Sequence, residues 1–305
     1  MPNYLLRRLF RLILTTLACI TLVFIVLQFA GDPVSVLLPS EASQEDRVRL
    51  RQELGLDRPI YEQYGQLLVG VVQADFGDSF RLKQPAGKLV LERLPATLQL
   101  IGLSFVVGLM IAIPLGVLAA YYRDSPFDWI ASTFSFLGFS IPSFWLGLMA
   151  IILFAVNLRW FPTSGTGTWK HFVLPVLTLA TWLIGQVTTI TRSEMINVLN
   201  EDYLRTARAK GLSETVVVLI HAFKNASLAI LTLVGLMLGQ LLGGAIVTEI
   251  VFAWPGMGRL AITAIFDRDW PVVQASVIYT VIVFIFINLV VDLLYSVLDP
   301  RIELD

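Results

Sequence analysis

Groups able to act on or recognise another molecule are sparse in this chain, and the densest polar run lies between two apolar stretches. Arg192 to Asn225 is the only long charged break between uncharged apolar runs in the second half, and it contains Tyr203-Leu204-Arg205-Thr206-Ala207-Arg208-Ala209-Lys210-Gly211-Leu212. The spacing predicts a helix over Glu194–Lys210, with Met195, Val198 and Leu199 as an apolar patch and Glu201, Asp202, Arg205 and Arg208 alongside. Arg208 and Lys210 fall in its last turn, where cations suit the helix dipole. Gly211 provides a left-handed stop, and Ser213 caps a second helix with Glu214 in its first turn. The expected product is a rigid, charged knuckle tied to two apolar stretches. Its chemistry is recognition: either a docking surface for a cytoplasmic partner or an ordinary solvated loop.

No catalytic or metal-binding set is expected elsewhere. His171 and His221 are 50 residues apart and fall on opposite sides of a membrane in the topology below. Cys19, the single cysteine, lies inside an apolar run and reads as a small packing residue. No G-x-x-x-x-G-K-[ST] phosphate loop occurs, so hydrolysis of ATP by this chain itself is not expected, nor any cofactor of its own. A net charge of −1 gives no nucleic-acid footprint.

These residues must be positioned by elements that composition places in a bilayer. Of 305 residues, 56% are hydrophobic and only 15% charged, with a mean hydropathy of +0.75. Soluble domains carry about 25% charged residues. Six runs lack Asp, Glu, Lys, Arg and His: Leu12–Ala30, Leu94–Tyr122, Trp129–Leu158, Phe172–Thr191, Ala226–Thr248 and Pro271–Val291. A spanning helix needs about 20 apolar residues. The fold class is therefore an all-α integral membrane protein with six transmembrane helices. Residues 1–31 form the N-terminus and first span, 32–93 an outer segment, and 94–305 a five-helix core carrying the loop 192–225. The first run follows Arg7, Arg8 and Arg11, but it is longer than a signal-peptide core. Ala30-Gly31-Asp32 is also a poor cleavage site, so it reads as a retained span. With the N-terminus inside, inner segments carry ten cations (Arg7, Arg8, Arg11, Arg123, Arg192, Arg205, Arg208, Lys210, Lys224 and Arg301). Short outer loops carry four (Arg159, Lys170, Arg259 and Arg268). The excess places both termini in the cytoplasm.

Within the outer segment, Ser43-Gln44-Glu45-Asp46 reads as a capped helix start and Gly55 as its stop. After Pro59, Ile60, Tyr64, Leu67, Leu68, Val71 and Val72 share one helical face. That face packs on the span ends or meets an external delivery protein. Pro114 and Pro142 are expected to kink the second and third spans. Gly235, Gly239 and Gly243 form a smooth stripe on the fifth span, for packing within the chain or against a second subunit. Trp145 and Trp182 line a path or anchor at the interface. An ion-coupled transporter or channel is the alternative class. Against it, the span interiors carry no ionisable group, Glu249 and Asp292 lie only near span ends, and inverted repeats with broken helices are not evident.

The knuckle carries a specific resemblance. Asp202-Tyr203-Leu204-Arg205-Thr206-Ala207-Arg208-Ala209-Lys210-Gly211-Leu212-Ser213, followed by His221, Asn225 and Ala226, is similar to the "EAA" loop of inner-membrane permeases of binding-protein-dependent ABC importers, in the dipeptide, oligopeptide and nickel group. Leu54-Gly55-Leu56-Asp57-Arg58-Pro59 and Asp75-Phe76-Gly77-Asp78-Ser79 resemble the family's outer segment. Ser140-Ile141-Pro142-Ser143-Phe144-Trp145 resembles its third-span motif. Trp254-Pro255-Gly256-Met257-Gly258-Arg259-Leu260 and Arg268-Asp269-Trp270-Pro271-Val272-Val273-Gln274-Ala275 resemble its last outer loop, and Asp299-Pro300-Arg301 its C-terminus. Arg205 stands where the wider family has Glu, and Ala229 where a proline is frequent.

The resemblance implies a type I ABC importer permease fold in the bacterial inner membrane, with a periplasmic N-terminal segment. It implies a second related permease, two ATP-binding subunits that hold ATP and Mg, a periplasmic substrate-binding protein and surrounding lipid as partners. Tyr203, Arg205, Thr206, Ala207, Arg208, Ala209, Lys210, Gly211 and Leu212 would form the coupling helix and its turn. Trp254, Pro255, Gly256 and Arg259 would form an outer gate or a binding-protein contact, or a structural re-entrant turn. The implied cargo is a small solute, foremost a di- or oligopeptide.

Overall fold

The computed structural model describes residues 2–29, 31–38 and 41–298, with side chains from 13 to 291 apart from residues 30, 36, 39 and 40. The side chains of Arg7, Arg8, Arg11 and Asp292, the residue Ala30, and the stretch Asp299-Pro300-Arg301 lie outside the described residues. The helices are, in chain order, α1 (Pro2–Phe29), α2 (Val34–Leu37), α3 (Gln44–Glu53), α4 (Ile60–Gln73), α5 (Ala86–Tyr121), α6 (Pro126–Ser140), α7 (Ser143–Ala150), α8 (Lys170–Leu199), α9 (Asp202–Ala209), α10 (Glu214–Val216), α11 (Phe223–Val251), α12 (Met257–Phe266) and α13 (Trp270–Leu298). Wider π-helical turns extend α7 over Ile151–Asn157 and join α10 to α11 over Val217–Ala222. Among the described residues no strand forms; one isolated bridge pairs Asp78 with Pro85.

Among the described residues, four helices are long and apolar enough to cross a membrane: α5, α8, the continuous Glu214–Val251 helix, and Trp270–Val291 of α13. The expected third span is instead a bent pair, α6 and the Ser143–Asn157 helix, turning by 107°. Counting that pair once gives five. The described apolar part of α1, Ile13–Phe29, is shorter. The bend follows from Pro142. Proline disfavours helical geometry in the residue before it, and Ile141 is extended at φ −80, ψ 128. Pro114 does not interrupt α5, and Pro175 sits inside α8. The kink expected at Pro142 is therefore a full break between two helices.

The chain packs as two compact units that do not follow chain order. One contains residues up to Thr97 together with Pro255–Ile285. Its α3 is capped as expected: Asp46 N donates to Ser43 Oγ at 3.1 Å, and Gly55 has φ +67. Tyr64, Leu67, Leu68 and Val71 of α4 pack with Ile20, Phe24 and Ile278, whereas Ile60 and Val72 are exposed. The expected apolar face is thus narrower by its two flanking members. Two distant motifs meet in this unit. Asp269 is buried and accepts hydrogen bonds from Ser79 Oγ, from Phe80 N at 3.0 Å and from Arg81 N at 3.4 Å. Arg268 donates to Asp32 O at 3.0 Å and Ser35 Oγ at 2.7 Å, tying the α12–α13 turn to the segment that follows α1.

The other unit, Leu98–Trp254 with the chain from Phe286, is organised by α8, which packs on α6, α7 and α11. Small residues let backbones approach. Ser104, Gly108, Ala112, Gly116 and Ala120 recur every fourth residue on α5, and all are buried. A Cβ added at Gly108 would lie 2.8 Å from Leu183 Cδ2, and one at Gly116 would lie 2.5 Å from Thr191 Cβ. On α8 itself, a Cβ at Gly185 would lie 2.4 Å from Ser135 O of α6.

The stripe singled out on α11 divides instead. Gly235 and Gly239 are buried, Gly243 faces open space, and Gly244 is the glycine that meets α8, at Leu179. Four-residue spacing drifts by roughly 40° per step on a 3.6-residue helix, enough to carry Gly243 off the face. Gly185→Ala is therefore expected to destabilise by about 1–3 kcal/mol through overpacking against backbone. Gly243→Ala is expected to be neutral. Thermal unfolding of the two variants in detergent checks this; equal melting temperatures would refute it.

Candidate functional site

The expected single helix over Glu194–Lys210 is two helices. α8 ends at Leu199, and Glu201, extended at ψ 145, starts α9. Asn200 caps α8, as suits a residue whose side chain competes for backbone groups; here its amide donates to Ile196 O at 2.9 Å. α9 then buries one face, with Leu204 at 0% and Ala207 at 8% exposure, and lies against the Val217–Ala222 stretch. Tyr203, Arg205, Thr206, Arg208, Ala209, Lys210, Gly211 and Leu212 all remain exposed. The nine predicted residues thus lie together, six of them on α9 and three, Lys210, Gly211 and Leu212, in the turn that follows.

The corner is locked by hydrogen bonds. Gly211 has φ +79, with Gly211 N donating to Arg208 O at 2.9 Å and Leu212 N to Ala207 O at 3.4 Å. This is the double closure that ends helices on a left-handed residue. Ser213 starts the next helix at ψ 147, but its side chain makes no cap bond. Arg208 grips Glu214 with Nη2–Oε1 at 2.9 Å and Nε at 3.2 Å from both oxygens. This hydrogen bonding raises the Arg208 pKa further, so the guanidinium stays charged. Arg208 therefore braces the corner across its own turn. Arg205 reaches only Asp202, at 3.2 Å, with both side chains largely solvated. On the other flank Asn225 Nδ2 donates to Tyr203 Oη at 2.8 Å and to His221 O at 2.9 Å. Tyr203 is thereby fastened to the start of the following span.

Sequence reasoning missed the tie just upstream. Asp128, 3% exposed at the start of α6, receives Arg192 of α8 in a two-pronged pair, with Nη2–Oδ2 at 2.7 Å. Asp124 N and Ser132 Oγ complete its shell at 3.0 and 3.2 Å. The signal was a Ser-x-x-Asp cap at Ser125–Asp128, with an arginine just past the uncharged run Phe172–Thr191.

The other predicted group does not form one surface. Trp254 is buried, packed edge-on to Phe172 with ring centroids 4.7 Å apart, and its N–H donates to Glu249 O at 2.8 Å. Gly256 is buried and Pro255 partly so, while Arg259 is exposed. Met257 N donates to Thr97 Oγ1 at 2.8 Å. No group of three or more His, Cys, Asp or Glu able to hold a metal occurs among the described residues.

Comparisons with known proteins fit this architecture. The family profile described as "Binding-protein-dependent transport system inner membrane component" matches residues 112–304, and its N-terminal companion matches 1–101. A putative peptide transport system permease protein of Brucella suis is 44% identical over 283 residues, 90% of each chain. The oligopeptide transport system permease protein AppB of Bacillus subtilis is 41% identical, covering 99% of this chain and 100% of its own. The glutathione transport system permease protein GsiC of Salmonella choleraesuis is 42% identical over 99% of both. Among solved structures, the inward-facing MetNI methionine ABC transporter aligns with a TM-score of 0.59 at 16% identity, over 69% of this chain and 96% of that one. An amino acid ABC transporter aligns with a TM-score of 0.55. At such identity the structural likeness concerns the fold, while the full-length relatives and the profile carry the kinship. The chain is a multi-pass membrane permease subunit of the ABC importer class, and it belongs to the family of binding-protein-dependent transport system inner membrane components.

Proposed function

We propose that this subunit pairs with a second permease to form the path of an importer for peptides or peptide-like solutes, driven by two ATP-binding subunits and fed by a periplasmic binding protein. The α9 corner carries the reading. It is a short helix with one buried face and one exposed face, joined to α8 through Asn200–Glu201 and fixed by hydrogen bonds at both flanks to the continuous Glu214–Val251 helix, so force applied there moves α8 and α11 rather than the loop alone. α9 seats in a cleft on an ATP-binding subunit. Lys210 and Arg205 offer charge to it, while Arg208 holds the corner's shape. ATP and Mg reside on those partners, consistent with the lack of a phosphate loop in this sequence. Counting α1 as a span and the bent pair as one gives six. Both termini and α9 then face the cytoplasm, and Trp254, Pro255, Gly256 and Arg259 lie at the outer end. The cargo class rests on the relatives named for peptide, oligopeptide and glutathione transport, all built of amino acids joined by amide bonds.

Purification of the tagged subunit in mild detergent is expected to recover a second permease and ATPase chains. Their ATP hydrolysis should rise when the peptide-loaded binding protein is added. A stable subunit isolated without ATPase chains would refute the reading and favour an ion-coupled transporter.

A further inference from the structure

The break between α6 and α7 opens a cavity of about 400 Å³ within the second unit. Its wall holds both ends of the break, the last residues of α6 from Gly138 to Ser140 and the first turn of α7. α7 begins at Pro142 with no side-chain cap, and its first intrahelical bond is Leu146 N to Pro142 O at 3.1 Å. The backbone N–H groups of Ser143, Phe144 and Trp145 precede that bond and have no partner among the described residues. Thr178 is an independent sign of a missing ligand. It lines the cavity, is 3% exposed, and its hydroxyl has no hydrogen-bond partner. Elsewhere on α8, Thr181 Oγ1 donates to Leu177 O at 2.7 Å and Thr189 Oγ1 to Gly185 O at 2.9 Å, whereas buried Thr191, away from the cavity, shares with Thr178 a hydroxyl without a partner. Trp182 and Gln240 add an indole N–H and a side-chain amide to the same wall, which contains no Asp, Glu, Lys, Arg or His.

A buried hydroxyl left unsatisfied is costly, and an uncapped helix start carries partial positive charge. Together they fit a small anion, as half-helix starts do inside transporters. We infer that this cavity is a passing subsite for the terminal carboxylate of the transported peptide, an inference that rests on the proposed peptide-import function. The carboxylate would accept from the Ser143 N–H and the Thr178 hydroxyl, and Gln240 and Trp182 would supply further donors. The absence of a fixed cation keeps the site weak, which a site on a path requires if the cargo is to leave.

The test uses the complete complex in liposomes, with binding protein saturated with tri-alanine. Thr178→Val keeps the shape and removes the hydroxyl; Thr178→Ser keeps the hydroxyl. Ser143→Pro removes one N–H at the first helical position, where proline is tolerated. Charge-assisted hydrogen bonds are worth enough that Thr178→Val and Ser143→Pro should each slow tri-alanine uptake about tenfold. Thr178→Ser should stay near wild type, and binding-protein-stimulated ATP hydrolysis should persist in all three. Wild-type uptake in both Thr178→Val and Ser143→Pro would overturn the subsite and leave peptide import standing. An equal loss in Thr178→Ser and Thr178→Val would assign Thr178 to packing and overturn it as well. A wild-type complex that takes up no tri-alanine would remove peptide import, and the subsite with it.

Discussion

Gly211→Val is expected to abolish coupled uptake while leaving the spans folded. Gly211 stands at φ +79, in the left-handed region that side chains with a Cβ enter at a cost of about 1–2 kcal/mol, and β-branched ones at more. The penalty is one of backbone alone, because a Cβ added there meets no atom within 4 Å. The strain therefore does not propagate into the packed helices. It is relieved where the structure is cheapest to change, at the closure from Leu212 N to Ala207 O, already long at 3.4 Å. Opening that closure turns α9 relative to Ser213 and pulls Arg208 from Glu214. Under the proposed docking, the exposed face of α9 then no longer matches the cleft on the ATP-binding subunit. In the reconstituted complex, uptake should fall more than tenfold, with ATP hydrolysis either uncoupled from the binding protein or lost. Gly211→Asn, which tolerates the left-handed region, should retain most uptake. Normal coupled uptake by Gly211→Val would show that the corner's geometry does not transmit the stroke.

The parts of this molecule legible in sequence are those set by local rules. Uncharged runs marked the helices at Leu94–Tyr122, Phe172–Thr191, Ala226–Thr248 and Pro271–Val291; the last three lie within observed spanning helices and the first overruns its helix by one residue. Gly55 and Gly211 marked left-handed stops, and Ser43 a cap, because each depends on a few neighbouring residues. What escaped depends on partners distant in the chain. The helix expected over Glu194–Lys210 breaks at Asn200–Glu201, where α9 turns to bury Leu204 and Ala207 against the next span's start. The α5 stripe from Ser104 to Ala120 was visible as small residues every fourth position. Its partner, α8, is separated from it by the whole bent pair. Pro142 announced a kink, but the extended Ile141 before it made a turn of 107°. Likewise Asp75–Ser79 and Arg268–Ala275 each stood out alone, and only folding shows that Ser79 and Asp269 share a buried hydrogen bond.

Breaking the Asp128–Arg192 pair is expected to give the second large effect, and an unequal one. Each partner is supported differently. The Asp128 side chain is 4% exposed and that of Arg192 29%. Arg192→Met strands a buried carboxylate with only Asp124 N and Ser132 Oγ for company. Removing one member of a buried pair costs about 3–5 kcal/mol, most of it desolvation left uncompensated. Asp128→Asn leaves an arginine with a partial route to water, and long basic side chains use such routes. Its cost should fall nearer 2 kcal/mol, allowing for solvent screening of the exposed partner. The double variant Asp128→Asn with Arg192→Met removes both charges and should be more stable than Arg192→Met alone. Melting temperatures of the four proteins in detergent give the cycle. Additive losses would mean that the two residues act independently.

The functional consequence follows from position. Arg192 lies seven residues before the end of α8 at Leu199, and Asp128 lies in the first turn of α6. The pair therefore fixes the start of the bent pair to the stem of the α9 corner. With it intact, a push on α9 moves α6 together with α8; without it, α8 moves and α6 lags. In a reconstituted Asp128→Asn complex, binding-protein-stimulated ATP hydrolysis should exceed what uptake accounts for, even at temperatures where the protein remains folded. Uptake per ATP equal to wild type would confine the pair to stability and leave transmission to packing along α8 alone.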